Sequence, residues 1–189
     1  MAEETTPTDA LCVERARRGD SAAFEVLVRR HFRAAYSLAF ARTGNRFDAE
    51  DVCQDAFVAA AEHLDQCREP AKFAAWLLRI VRNRAHNLRA YERVRAAEPL
   101  LHDTAAAPGV PGTEAERAEL RERLEGALQQ LSEAQRTVVL LHDLDGWPHK
   151  EIAEMLGTSE GMSRQHLFAA RRRLRALLGR YVLGECANE

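Results

Sequence analysis

The chain has 189 residues, of which 46% are apolar, 30% charged and 6% aromatic, and 27 Lys/Arg against 29 Asp/Glu leave a net charge of −2. That length holds one medium domain or two small ones, and the shortage of aromatic side chains favours helices over a β-sandwich. The acidic start MAEETTPTD is unlike a secretory signal and no run reaches the roughly 20 apolar residues of a membrane span, so the expected location is the cytoplasm.

Apolar residues recur at helical spacing in Phe24, Leu27, Val28, His31, Phe32 and Tyr36, then in Val52, Phe57 and Leu64, then in Phe73, Trp76, Leu77, Ile80, Val81 and Leu88. This pattern predicts three or four helices around one core; Trp76 reads either as a core residue beside Leu77 and Ile80 or as an exposed flat side chain. Charge is segregated along this half: residues 48–65 carry six acids and no base, whereas residues 73–97 carry six arginines and one glutamate. Residues 98–112, EPLLHDTAAAPGVPG, contain three of the six prolines and two glycines and read as a linker.

Helical patterning resumes at Thr113 and runs through Leu120, Leu124, Leu128 and Leu131. Ser132 followed by Gln135 has the form of a capping box, opening a helix whose inward members include Val138, Val139 and Leu141. Pro148 suits a first helical turn, Ile152, Ala153 and Leu156 give one apolar face, and Gly157 closes that helix before Thr158 or Ser159 caps the next. The result is a helix-turn-helix. On its second helix Ser163, Leu167, Ala170, Leu174 and Leu178 form the inner stripe, leaving Met162, Arg164, Gln165, His166, Phe168, Ala169, Arg171, Arg172 and Arg175 outward. Residues 159–181 hold six arginines and one acid, although the chain as a whole is slightly acidic. Arginine and glutamine read guanine and adenine edges in a major groove, and further arginines neutralise phosphates, so this helix is expected to bind DNA.

The segment FDAEDVCQDAFVAAAEHLDQCREPAKFAAWLLRIVRNRAHNLRAYERVR resembles the second conserved region of bacterial sigma factors of the extracytoplasmic-function type. The segment LSEAQRTVVLLHDLDGWPHKEIAEMLGTSEGMSRQHLFAARRRLRALL resembles their fourth. The resemblance implies an all-α fold of two small domains, residues 1–97 and 118–189, joined by a flexible linker over 98–117. It implies binding to core RNA polymerase through its clamp coiled coil and flap, to promoter DNA, and to an anti-sigma protein. The acidic helix offers Asp48, Glu50, Asp51, Gln54 and Asp55 to the polymerase. The loop over 65–72, DQCREPAK, is somewhat short for the family. With the following helix it is expected to hold the separated −10 element and an extruded base through Gln66, Arg68, Lys72, Arg79, Arg82, Asn83 and His86. The reading helix is expected to contact the −35 element through Arg164, Gln165, His166, Phe168, Arg171 and Arg172. It departs from the family's Gly-Thr-Val-Lys-Ser-Arg-Leu pattern at Met162, Ser163, Gln165 and His166, and Ala169 stands where an arginine is frequent.

No catalytic residue, metal or cofactor is expected. One rival reading is a stand-alone helix-turn-helix regulator whose first domain senses a ligand or dimerises. A metal or redox protein is a second, but His31, His63, His86, His102, His142, His149 and His166 are dispersed. The cysteines Cys12, Cys53, Cys67 and Cys186 lack CxxC spacing and read as reduced thiols.

Overall fold

The computed structural model describes the backbone of residues 7–95 and 113–185, and the side chains of residues 7–91 and 118–179. The linker expected over 98–112 and Cys186 lie outside the described residues. Helices make up both halves of the chain, which forms two compact units divided near Leu88. Among the described residues no helix is long and apolar enough to cross a membrane.

The first unit opens with a helix the apolar pattern does not predict, α1 (Asp9–Arg17), capped by the Thr8 hydroxyl, which accepts from the Leu11 N–H at 3.3 Å. Asp20 caps α2 (Ser21–Thr43) through the Ala23 N–H at 3.1 Å, and Gly44 ends it at φ 82°, a left-handed conformation that costs glycine no side-chain clash. Asn45 caps α3 (Arg46–Glu62), accepting from the Asp48 N–H at 2.8 Å. Two 3₁₀ turns, Leu64–Gln66 and Pro70–Lys72, then lead into α4 (Phe73–Arg95).

α2 and α3 meet along buried alanines, Ala34, Ala35 and Ala39 on one and Ala49, Ala56 and Ala60 on the other, so the backbones approach closely with few aromatic side chains. Leu27, Leu38, Phe73, Leu77 and Val81 fill the space beside them. α1 is clipped onto α2 by Asp9, whose carboxylate takes His31 Nε2 at 2.7 Å and also pairs with Arg30. Phe32, expected in the core, is 48% exposed because its ring stacks outside, 6.3 Å from both Tyr36 and Phe57. Trp76 is likewise only half-buried. Phe73, Leu77, Leu78 and Val81 already fill the inner face of α4 and leave the indole beside it, with one end wet.

The second unit contains α5 (Thr113–Gln129), α6 (Glu133–Val139), a π-helical turn (Leu140–Leu144), α7 (His149–Leu156) and α8 (Glu160–Glu185). The capping box forms as its spacing predicts: Gln135 N–H donates to Ser132 Oγ at 3.3 Å while Ser132 N–H donates to Gln135 Oε1 at 3.1 Å. The helix expected to run through Leu141 widens into the π turn from Leu140. α5 turns Ala127 and Leu128 inward, Leu131 just beyond it is buried too, and Leu120 and Leu124 of the same apolar pattern stay exposed. The last carbonyls of α5 are satisfied by a buried guanidinium. Arg136 donates to Leu128 O at 2.8 Å, Gln129 O at 3.2 Å and Leu131 O at 3.3 Å, and is only 7% exposed.

Pro148 stands one residue before α7, in the cap position rather than the first turn. Gly157 ends α7 at φ 68°, and Ser159 caps α8 by accepting from Met162 N–H at 3.1 Å. The predicted helix pair, with its three-residue turn, is therefore present. Ser163, the thin point of the inner stripe, is fully buried and fixes the pair, its hydroxyl 2.9 Å from His149 Nδ1. The His149 ring stacks on His142 at 4.2 Å, and His142 Nδ1 is 2.8 Å from the Trp147 carbonyl, so it donates there.

Replacing Arg136 with Ala removes the hydrogen bonds to three carbonyls and leaves the buried Leu131 O without this donor. Urea denaturation of the full chain should register a loss of about 2–3 kcal/mol, the scale of hydrogen bonds to a charged group. A second prediction concerns pH. Burial, then His142 and Arg164, hold His149 below the usual histidine range, with Glu160 opposing and Arg171 adding to the depression. The unfolded chain therefore binds this proton first as pH falls, so the contribution is intact above about pH 6.5 and is lost below it. The melting temperature of the second unit should fall between about pH 7 and pH 5, and His149→Gln should shrink that fall in a circular dichroism melt.

Candidate nucleic-acid interface

Three surfaces carry the residues singled out by the sequence. The first is the outer face of α8. Leu167 and Ala170 are buried against α6 and α7, which turns Arg164, Gln165, Phe168, Arg171 and Arg172 outward, with His166 half-buried at the edge. Phe168 is 66% exposed and Met162 43%, so the face mixes cations with apolar groups of the kind that meet thymine methyls. Two of its arginines have intramolecular partners. Arg164 pairs with Glu160 one turn back, a solvent-facing pair of small net worth. The Arg171 fork closes on Asp143 of the π turn, Nε at 2.9 Å and Nη2 at 2.5 Å. Arg173, which was not among the expected readers, turns instead to Gln130, just beyond α5, at 3.3 Å.

The second surface is a concavity of about 760 Å³ where the 65–72 loop meets the start of α4. Gln66, Arg68, Lys72 and Arg79 line it together. Arg82, Asn83 and His86 lie on later turns of α4; Asn83 and His86 are exposed and Arg82 half-buried. The loop is not irregular: its two 3₁₀ turns set the walls, and Lys72 pairs with Glu69 at 2.6 Å. Trp76 forms part of the wall, and its ring lies 5.8 Å from Phe73 of the core. Sequence reasoning left this tryptophan open, with the interior favoured. The signal for the other answer was its spacing, because Trp76, Arg79, Asn83 and His86 succeed one another at three, four and three residues, along one helical face. A flat aromatic wall beside guanidinium and ammonium groups suits an unpaired base attached to its phosphates.

The third surface is the solvent face of α3. Glu50, Asp51, Gln54 and Asp55 are exposed, while Val52, Cys53, Ala56 and Phe57 face inward. Asp48 is half-buried and serves the helix start, taking the Asn45 side-chain amide. Phe47 is 77% and Val58 52% exposed, and the spacing of Phe47, Asp51, Gln54 and Val58 puts apolar groups at both ends of the acidic stripe. Those two apolar ends were not anticipated.

No three His, Cys, Asp or Glu side chains lie close enough to hold a metal ion among the described residues. Cys12, Cys53 and Cys67 are buried free thiols, and burial pushes Cys53 up to about 11, which keeps it protonated and unreactive.

Comparison with known proteins gives the same division. A family model for Sigma-70 region 2 matches residues 27–95, and one for Sigma-70, region 4 matches residues 121–174. The chain is 35% identical to the RNA polymerase sigma factor NccH of Alcaligenes xylosoxydans xylosoxydans, over 90% of its own length and 94% of that protein. It is 32% identical to the ECF RNA polymerase sigma-E factor of Escherichia coli, over 87% and 91%. Among solved structures it resembles CnrH in complex with the cytosolic domain of CnrY, at 31% identity and a TM-score of 0.66, covering 90% of this chain and 97% of that one. Two matched regions in this order, with relatives along nearly its whole length, place the chain in the sigma-70 family, among the RNA polymerase sigma factors of the ECF group.

Proposed function

We propose that this chain directs core RNA polymerase to a set of promoters and helps to open them, in the cytoplasm where the enzyme works. It does so by binding alone, with no covalent step. Residues 1–97 are assigned to the polymerase and the −10 element, residues 118–189 to the −35 element, and residues 98–117 to the connection between them. Glu50, Asp51, Gln54 and Asp55, framed by Phe47 and Val58, present a carboxylate stripe with apolar ends to a basic helical surface of the polymerase. Arg164, Gln165, His166, Phe168, Arg171 and Arg172 enter the major groove of the −35 element, and a surface near them meets the flap.

The convergence of Gln66, Arg68, Lys72, Trp76 and Arg79 on one concavity carries the reading. Opening a promoter requires separated strands to be bound better than paired ones. A seat with an aromatic wall and a rim in which Arg68, Lys72 and Arg79 outnumber Asp65 and Glu69 does this, offsetting an unstacking cost of a few kcal/mol per base. Arg82, Asn83 and His86 continue the path along α4 for the strand beyond it. CnrH is seen with the cytosolic domain of CnrY, and an anti-sigma protein that covers the same surfaces is the corresponding partner proposed for this chain.

Reconstituted transcription on a promoter library, with core polymerase present in both arms, tests the function. Some promoters should open only when the chain is added, and the absence of any such promoter would refute it. Two substitutions separate the surfaces. Arg164→Ala should relax base preference in the upstream element by about 1–3 kcal/mol at one position, read from a binding-site selection. Asp51→Ala should weaken the polymerase complex up to about tenfold in a fluorescence titration while sparing upstream contacts.

A further inference from the structure

We infer that Arg17 of α1 is a positioning residue for the concavity, holding its loop in the shape that receives a base. The inference rests on the proposed reading of that concavity as the seat of an unpaired promoter base. The matched region 2 begins at residue 27, so α1 lies outside it, and none of the residues assigned above to polymerase or DNA comes from α1.

The geometry is specific. Arg17 Nε and Nη2 both donate to Leu64 O at 3.2 Å, Nη2 also donates to Cys67 O, and Nη1 donates to Glu14 Oε1 at 2.8 Å. Leu64 and Cys67 bracket the first 3₁₀ turn of the loop, Asp65 and Gln66 lie between them, and Arg68 comes next. One planar guanidinium therefore fixes both ends of the segment that carries three wall residues, Asp65, Gln66 and Cys67, and immediately precedes a fourth, Arg68. Leu64 O also accepts the Cys67 N–H at 3.2 Å, and residues 67–69 lie between the two 3₁₀ turns. The clamp is also partly dry: the Arg17 side chain is 25% exposed, Leu64 6% and Cys67 1%, so its charge-assisted bonds are worth more than a surface contact. Glu14 limits rotation of the fork, and the Asp9 pairing with His31 and Arg30 keeps α1 on the core. Lysine cannot replace this arrangement, because a single ammonium lacks the planar fork that spans two carbonyls.

The test uses holoenzyme assembled from core polymerase and the full chain, on a promoter recovered from the library. The probe is the single-stranded non-template oligonucleotide of the downstream element, with one abasic site walked through it. Wild-type holoenzyme should show a position where base removal costs affinity. With Arg17→Ala, binding of the intact oligonucleotide should drop about tenfold and the abasic penalty should vanish at that position alone, because a misplacement near 1 Å suffices for losses of this size. Affinity for core polymerase should stay unchanged. Arg17→Lys, which keeps the charge but loses the fork, should fall between the two and gives the same reading should the alanine variant not fold. An unaltered abasic profile in both variants overturns the inference, as does a uniform loss at every position together with weaker core binding, which marks a merely structural role. Trp76→Ala separates the two levels: if it leaves the profile intact the seat itself is misread, whereas a changed profile with Trp76→Ala and none with Arg17→Ala sinks only the role of Arg17.

Discussion

Every helix ends with carbonyls that have no partner in the helix, and a protein assembled from short helices must satisfy many of them. This chain does so in two ways. Gly44 and Gly157 turn left-handed and let the backbone close on itself. Elsewhere it uses a guanidinium drawn from another element. Arg136 holds the carbonyls of Leu128, Gln129 and Leu131, and Arg17 those of Leu64 and Cys67. A glycine cap ends a helix and leaves the next segment of chain free, whereas an arginine drawn from another element ties the end of one helix to the body of a second. The Arg136 clamp fixes α5 to α6 behind the helix pair; the Arg17 clamp fixes the loop after α3 to α1. Rigid support for a binding surface is bought here with two buried or half-buried charges, each surrounded by acceptors that make its burial tolerable.

The small side chains at the α2–α3 contact serve the same end. With alanines at Ala34, Ala35, Ala39, Ala49, Ala56 and Ala60 the two helices sit close, so one face of α3 is fully committed to the core and the other is pushed to the surface. Large side chains are then left for work outside. Phe32, Phe47, Trp76, Met162 and Phe168 are wholly or partly exposed, each beside charged groups, which is an unfavourable arrangement in a free monomer unless those faces meet something. Despite the low aromatic content of the chain, each of the three candidate surfaces carries one aromatic side chain: Phe47, Trp76 and Phe168.

Much of this was legible in the sequence. The apolar period gave α2, α3 and α4, the capping box gave the start of α6, and Gly157 gave the turn of the helix pair, because each depends on local chemistry that a short window contains. The charge segregation gave the acidic and basic faces for the same reason. What was missed depends on contacts far apart in the chain. α1 has a weak apolar pattern and is held by Asp9 to His31, twenty-two residues away, and by Arg17 to Leu64, forty-seven away. Trp76, Leu120 and Leu124 carry the composition of core residues, and only the filling of the inner faces by Leu77, Leu78, Ala127 and Leu128 decides that they stay partly outside. The π turn at Leu140 is likewise invisible to a 3.6-residue period, since it arises where that period is broken.

On the proposed reading of α8 as the −35 helix, that π turn bears on its contact with DNA. Asp143 belongs to it, and its carboxylate occupies the Arg171 fork in the bidentate manner of a phosphate or a guanine edge. Arg164 is similarly engaged by Glu160. Two of the cations best placed to enter a groove are therefore already neutralised within the fold, and each must release a carboxylate before it gains a phosphate or base. The exchange costs little at exposed pairs, but it subtracts from the net gain of binding, and the freed carboxylates then stand near the DNA backbone and repel it. On that reading, a helix built this way should bind a duplex weakly on its own. It becomes effective when a second attachment to the same assembly raises its local concentration, which is the situation of a specificity subunit riding on a polymerase and not of a regulator that must hold its operator alone.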